Sequence, residues 1–174
     1  MTETIILGGG CFWCTESVFQ SLQGVTDVTP GYSGGHVDHP TYEQVCGQRT
    51  GHIEVVRVRF DPAAISLEQL LHVFFATHDP TTPDRQGGDI GPQYASAVFC
   101  ETPEQREAAQ RVIKQVEHVL ERPVVTKVLD AARFWPAEDY HHNYHLRNPG
   151  QGYCQVVIEP KLHTLRRNFA QWLA

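Results

Sequence analysis

Cys11 and Cys14 stand three residues apart, directly after Gly8-Gly9-Gly10 and at the opening of a segment with helical periodicity. Three residues is roughly one helical turn, so the two sulfurs can come within disulfide reach. A helix start presents unpaired backbone N–H groups and a positive dipole end, which predicts a Cys11 thiol that gives up its proton easily. The spacing is that of a redox or metal-binding pair. A zinc site needs two further ligands, and His36, His39, Cys46, His141, His142 and His145 supply no second paired motif, so no metal is assigned. The three glycines lack the Lys-Ser/Thr that completes a phosphate-binding loop.

Glu54 is the second group of interest. In an alternating strand it shares a face with His52, Val56, Val58 and Phe60, and Arg57 and Arg59 lie on the other. A carboxyl at the edge of an apolar face loses hydration, keeps its proton to higher pH and can serve as a general acid. A rim carboxylate in a salt bridge fits the same local pattern. Asp89, in a glycine-rich loop, and Tyr32, Tyr42 and Tyr94 add further polar groups.

The elements that must carry these groups follow from periodicity and turn chemistry. Strands are expected at Ile5–Leu7, Val25–Tyr32, His52–Phe60, Ala95–Cys100 and Val124–Leu129. Residues 11–23 read as a helix, with Thr15, Val18, Phe19 and Leu22 on one stripe and Gly24 as its stop. Ser66-Leu-Glu-Gln69 is a capping box, followed by Leu67, Leu70, Leu71, Phe74 and Phe75 on one helical face. Thr102-Pro103-Glu-Gln105 opens another helix that turns Ala109, Val112, Ile113, Val116 and Leu120 inward. Pro136 starts a helical stretch to about Leu146. Residues 33–51 and 79–93 read as irregular, being rich in Gly, His and Pro. In the tail, Leu162, Leu165, Phe169, Trp172 and Leu173 predict an amphipathic helix packed back on the core. Short strands mixed with helices, without strict alternation, point to an α+β fold: helices layered on a mostly antiparallel or mixed sheet. A doubly wound parallel sheet is the alternative. Residues 1–174 form one domain, with 160–174 as a C-terminal helical extension.

Composition narrows the partners. Fourteen Lys and Arg against twenty Asp and Glu leave a net charge of −6, and no dense basic block exists to neutralise phosphates. No stretch approaches a membrane span, and Met1-Thr-Glu-Thr-Ile-Ile-Leu7 has no basic leader region. Five cysteines, an odd number in a chain with no need of staples, suggest thiol chemistry in a reducing, cytoplasmic compartment.

Taken together, these residues fall into an ordered set of motifs. They are Gly10-Cys11-Phe12-Trp13, Pro40-Thr41-Tyr42, Thr50-Gly51-His52-Ile53-Glu54, His78-Asp79-Pro80, Gly88-Asp89-Ile90-Gly91-Pro92-Gln93-Tyr94 and Asn148-Pro149-Gly150-Gln151-Gly152-Tyr153-Cys154. The set resembles the peptide methionine sulfoxide reductase A family over at least residues 4–160. The resemblance implies a ferredoxin-like core, no metal or organic cofactor, and reduction of the S epimer of methionine sulfoxide, free or in proteins. Cys11 is then the nucleophile that becomes a sulfenic acid, and Glu54 is the proton donor. Phe12 and Trp13 are the wall for the substrate methyl group. Tyr42, Asp89 and Tyr94 surround the sulfoxide oxygen. A second cysteine resolves the sulfenic acid, and thioredoxin reduces the disulfide. The resemblance further implies a monomer that repairs oxidised proteins, with no nucleic-acid or membrane partner.

The chain departs from the family pattern in places. Many members carry glycine where this chain has Cys14, so Cys14 and Cys154 are both candidate resolving residues. The C-terminal Gly-Tyr-Cys element favours Cys154. Cys46 and Cys100 read as bystanders. Gly88, Pro92 and Ala95 replace the commoner asparagine, threonine and arginine, which removes a charge from the loop around Asp89. Two other readings of these residues are a thioredoxin-type disulfide exchanger using Cys11 and Cys14, which gives Glu54 and the tyrosines no task, and a Cys/His metal-binding module, which a metal analysis of the purified protein tests.

Overall fold

Ile5 and Leu7 point to one side of the first strand and Ile6 to the other, and all three are buried. A short strand covered on both faces belongs inside a sheet. The structure, a computed structural model, describes residues 1–174 and places it there. The strands are β1 (Glu3–Gly9), β2 (Val25–Ser33), β3 (Ile53–Phe60), the two-residue β4 (Arg85–Gln86) and β5 (Asp89–Ile90), β6 (Ser96–Cys100), β7 (Lys127–Asp130) and β8 (Phe134–Pro136). The main sheet has the order β7-β6-β1-β3-β2-β8, antiparallel throughout except for the parallel β6–β7 pair. It is a mixed sheet of the expected α+β kind, not a doubly wound parallel one.

The helices are α1 (Phe12–Gln20), α2 (Tyr42–Cys46), α3 (Leu67–Ala76), α4 (Pro103–Leu120), α5 (Tyr144–Arg147) and α6 (Glu159–Asn168). Val18 and Phe19 of α1, Leu70 and Phe74 of α3, Ala109 and Val112 of α4, and Leu162 and Leu165 of α6 join Leu7, Val56, Val58 and Phe60 of the sheet in one apolar core. The opposite sheet face carries a smaller cluster of Ile6, Ile53, Val55, Ala95, Ala97 and Phe99, flanked by Leu129 and Phe134. Glu54 points to the helix-covered side with Val56, Val58 and Phe60, as the strand period requires, whereas His52 precedes β3. His52 is used structurally: its ring accepts from the Gly35 amide at 3.1 Å and meets the Val37 carbonyl at 2.7 Å. That contact pins the irregular segment after β2.

Several local expectations need correction. Residues 136–146 are not a continuous helix. Pro136 ends β8, Asp139–His141 form one 3-10 turn, and only the short α5 follows. The break sits at Asn143, which adopts left-handed backbone (φ 56°). The first helix ends at Gln20, short of Gly24. The segment 33–51 contains α2, whose signal was present as Thr41-Tyr-Glu-Gln44: Thr41 and Gln44 form a capping box. Residues 79–93 hold the β4–β5 hairpin and a 3-10 turn at Pro92–Tyr94. The strand expected from Val124 starts at Lys127. Leu120 lies exposed because α4 runs past the edge of the core.

After α6 the chain makes a further turn, and its end is tied to α1. The Gln23 amide donates to the Trp172 carbonyl at 2.8 Å, and the Ala174 amide to the Ser21 carbonyl at 2.9 Å. No helix is long and apolar enough to cross a membrane.

The capping box at α3 is formed as expected, with Ser66 Oγ accepting from the Gln69 amide and Gln69 Oε1 from the Ser66 amide. Ser66→Ala is expected to lower the unfolding free energy by about 1 kcal/mol. Urea denaturation checks this, and an unchanged midpoint would mean that packing alone holds α3.

Candidate active site

The turn from β1 into α1 depends on Gly10. Its φ of +92° is left-handed, and a Cβ there would come within 2.7 Å of Gln86 side-chain carbons. Beyond it Cys11 is the N-cap of α1, and its carbonyl accepts from the Cys14 amide at 3.1 Å. The Phe12 amide, which has no partner inside the helix, donates to Glu54 Oε1 at 3.2 Å. The cysteine-bearing helix and β3 are thereby joined at the functional groups themselves.

Glu54 is 1% exposed, and its Oε2 is buried with no hydrogen-bond partner. It forms no ion pair, so the rim salt-bridge reading falls away. Burial pushes its carboxyl up to about 8, against the Phe12 amide bond and with help from the nearby Asp89 and Cys14 charges. The group is therefore mostly neutral near pH 7, with one oxygen free.

The thiol pair differs from the expectation. The helix start does act on Cys11: the backbone N–H of Trp13, in the first turn of α1, pulls its thiol down. Burial outweighs that, aided by the Cys11–Cys14 hydrogen bond and the Glu54 charge, and holds the Cys11 thiol well above its ordinary value. Cys14 is held below the ordinary value: it accepts the Cys11 hydrogen bond, which outweighs its own burial, and the Lys161 charge and Tyr153 assist. The more acidic thiol of the pair is thus Cys14. A helix dipole favours a thiolate only as far as desolvation allows.

The aromatic residues form a wall beside this pair. Phe12 packs near Tyr32, Tyr42 and His141, with ring centroids 5.6, 6.5 and 4.9 Å away. Trp13 stacks on Tyr144 at 3.7 Å with an interplanar angle of 5°, and Tyr153 meets it edge-on at 5.7 Å. The Trp13 Nε1–H donates to His141 Nδ1 at 3.0 Å. Two buried or partly buried carboxylates secure this arrangement. Glu16 accepts from the Asn143 and Tyr144 amides, and Glu138 from the Tyr32 hydroxyl and the Tyr42 amide. The sequence reading names His141 only as a candidate metal ligand and does not single out Tyr144, Glu138 or Glu16; the first three lie in 136–146, which is expected there as a plain helix. The run Glu138-Asp-Tyr-His-His-Asn-Tyr144 was the available signal.

Tyr42 and Tyr94 lie close enough to Glu54 for its charge to act on both. Burial first, then that charge, pushes both phenols above their ordinary value, so both remain hydrogen-bond donors. Asp89 of β5 accepts from the Tyr153 hydroxyl at 2.7 Å, and that hydroxyl lies 3.5 Å from Cys14 Sγ. Asp89 is thus tied to the Cys14 side of the site, through a tyrosine the sequence reading did not single out. Cys11, Cys14, Asp89, Tyr153 and Lys161 line a pocket of about 380 Å³. Cys154 is fully buried in a π-helical turn (Cys154–Ile158), Cys46 lies half-buried at the end of α2, and Cys100 is buried at the end of β6. Ala95, in place of the commoner arginine, packs in the smaller apolar cluster. No group of three or more His, Cys, Asp or Glu side chains is placed to hold a metal ion.

The chain matches the family model described as peptide methionine sulfoxide reductase over residues 3–173. It is 56% identical to the peptide methionine sulfoxide reductase MsrA of Ralstonia nicotianae, over 98% of this chain and 93% of that protein. Its fold is similar to that of Saccharomyces cerevisiae Mxr1 in reduced form, with a TM-score of 0.84 and 30% identity, covering 88% of this chain and 89% of that one. The same yeast protein in complex with Trx2 matches with a TM-score of 0.59 and 21% identity, covering 82% and 84%. With a buried acid joined to a cysteine-bearing helix start, and the family match running almost end to end, the chain belongs to the peptide methionine sulfoxide reductase family and is an enzyme that reduces methionine sulfoxide.

Proposed function

We propose that Cys11 attacks the sulfur of a methionine S-sulfoxide, free or in an oxidised protein, while Glu54 protonates its oxygen. The observation that carries this reading is the Phe12 amide bond to Glu54 Oε1, which leaves Oε2 as the free, protonated oxygen beside the thiol pair. As the polarised sulfoxide sulfur approaches, the Cys11 proton passes to Cys14, one turn further along α1, and Cys11 becomes the nucleophile. Once the oxygen is protonated the sulfoxide S–O bond breaks and hydroxide leaves; hydroxide then bonds to the Cys11 sulfur as the new bond between Cys11 and the substrate sulfur breaks. The substrate sulfur has gained two electrons and departs as the thioether, and Cys11 has lost two and is left as the sulfenic acid. Phe12 and Trp13 receive the substrate methyl group, and Tyr42 and Tyr94 donate toward the oxygen. Asp89 acts through Tyr153.

The second half of the cycle forms a disulfide that thioredoxin, the class of partner named in the yeast complex, reduces. The family element put Cys154 first, but Cys154 is fully buried and burial raises its thiol. Cys14 lies one turn from Cys11 and is the more acidic thiol. We therefore assign the first closure to Cys14, with Cys154 able to receive the disulfide from it afterwards. The strands β6-β1-β3-β2 with α1 and α3 are read as a ferredoxin-like core. Residues 1–174 act as one monomeric reductase domain in the cytoplasm, with 160–174 as its helical extension.

Glu54→Gln keeps the shape but cannot transfer a proton. The reductase step, followed as methionine released in a single turnover, is expected to slow by about 10²-fold or more. In the wild type the acid form persists below its raised value of about 8, so the rate should fall as pH rises through that value. Glu54→Gln should lose this falling limb. A near wild-type rate for Glu54→Gln would move the acid elsewhere.

Cys14→Ser is expected to release one methionine per enzyme and then stop, because no disulfide forms for thioredoxin to reduce. Cys154→Ser should keep turning over. Steady-state assays with thioredoxin separate the two, and the opposite pattern would return the resolving role to Cys154.

A further inference from the structure

The ammonium of Lys161 is the one cationic group brought against the thiol pair, and it comes from the C-terminal helix α6. Its Nζ donates to the carbonyl of Thr77, the residue that caps the end of α3, at 2.7 Å. No carboxylate lies within ion-pairing distance of it. It lines the 380 Å³ pocket together with Cys11 and Cys14. It also lines a small void of about 10 Å³ behind Cys14, with Thr15, Thr77 and His78. A half-buried ammonium with no carboxylate partner is placed to stabilise an anion that forms beside it. The Cys14 sulfur borders both the pocket and the void that Lys161 lines and can supply such an anion transiently.

We propose that Lys161 is a positioning residue for closure of the Cys11–Cys14 disulfide, its ammonium fixed by Thr77 so that it stabilises the anion of Cys14 when that sulfur attacks. The proposal rests on the assignment of Cys14 as the first resolving residue. In the step, Cys14 gives up the proton it received from Cys11, its sulfur contributes the electron pair of the new S–S bond, and the S–O bond of the Cys11 sulfenic acid breaks. The leaving hydroxide takes up that proton, directly or through solvent, and becomes water. Both sulfurs end at the disulfide level, and no outside oxidant is needed. Lys161 has no such task in the first half of the cycle, where the charge that develops lies on the oxygen facing Glu54.

The other titratable groups around Cys14 are placed differently. Cys11 and Tyr153 share hydrogen bonds with it, and Asp89 lies behind Tyr153. Cys154 faces it from the π-helical turn, and Glu54 from β3. His78 borders the same void but is held neutral: burial pulls its ring down to about 4, and it bonds to the Phe74 carbonyl and Ser96. Lys161 is the one ammonium or guanidinium group among them.

The test mixes reduced enzyme rapidly with one equivalent of methionine sulfoxide and follows two signals. One is methionine released; the other is disulfide closure, measured as loss of free thiols and of sulfenic acid trapped by a cyclic 1,3-dione. Lys161→Met is expected to slow closure about tenfold relative to methionine release, raise the trapped sulfenic acid, and shift the rising limb of the closure–pH profile upward. Lys161→Arg, which retains the charge, should restore closure and its pH profile. If Lys161→Met closes at the wild-type rate with an unmoved profile, or slows both signals equally, Lys161 only caps α3 and the proposal fails. Cys14→Ser in the same experiment guards the underlying assignment. Normal closure there removes Cys14 as resolving residue and Lys161's role with it. Blocked closure there, with Lys161→Met unaffected, overturns the Lys161 role alone.

Discussion

The hydrogen bond from the Phe12 amide to Glu54 Oε1 organises this molecule around its thiols. It satisfies one orphan donor of α1 and one oxygen of a buried carboxyl at the same time. That leaves the second oxygen without a partner, at a cost of about 1–3 kcal/mol for a buried polar atom. The surrounding sheet sustains it because β3 is central, hydrogen-bonded on both sides to β1 and β2. Burial that cannot be relieved locally keeps the carboxyl protonated near neutral pH. An acid in that state is what a sulfoxide oxygen requires.

The same burial sets the balance between the two cysteines. A helix N-terminus and a desolvated pocket act on a thiol in opposite directions, and here desolvation wins at Cys11. Cys14, one turn further on, gathers the compensating contacts: the Cys11 S–H, the Tyr153 hydroxyl and the Lys161 charge. Two of those three come from residues 153–161, so the C-terminal segment is part of the thiol environment and not a detachable tail. Its attachment at Thr77 and at the end of α1 keeps it in place.

Residues 134–144 play a comparable part on the aromatic side. Glu138 and Glu16 fix the backbone so that His141 and Tyr144 hold the Trp13 indole by a hydrogen bond and a stacked ring. An indole held at both its nitrogen and its face presents a fixed apolar surface. This is what a pocket for a methyl group needs, since dispersion contacts are lost over fractions of an ångström.

By itself the sequence determined the α+β class, the main strands, the capped helices α3 and α4, and the two residues, Cys11 and Glu54, to which the proposed chemistry is assigned. Those features are written in short-range signals: apolar periodicity, capping residues at fixed offsets, and a cysteine after glycines at a helix start. The alternation of β3 was enough to put Glu54 on the core side. Tertiary structure alone decided the rest. Whether Glu54 was an acid or a rim carboxylate depended on which elements covered that face, and so did the order of acidity of Cys11 and Cys14. Tyr153, Lys161, His141 and Tyr144 lie more than 120 residues along the chain from the thiols they serve. No local pattern carries a contact of that separation, because desolvation and the field of a distant charge depend on distance in space and not along the chain.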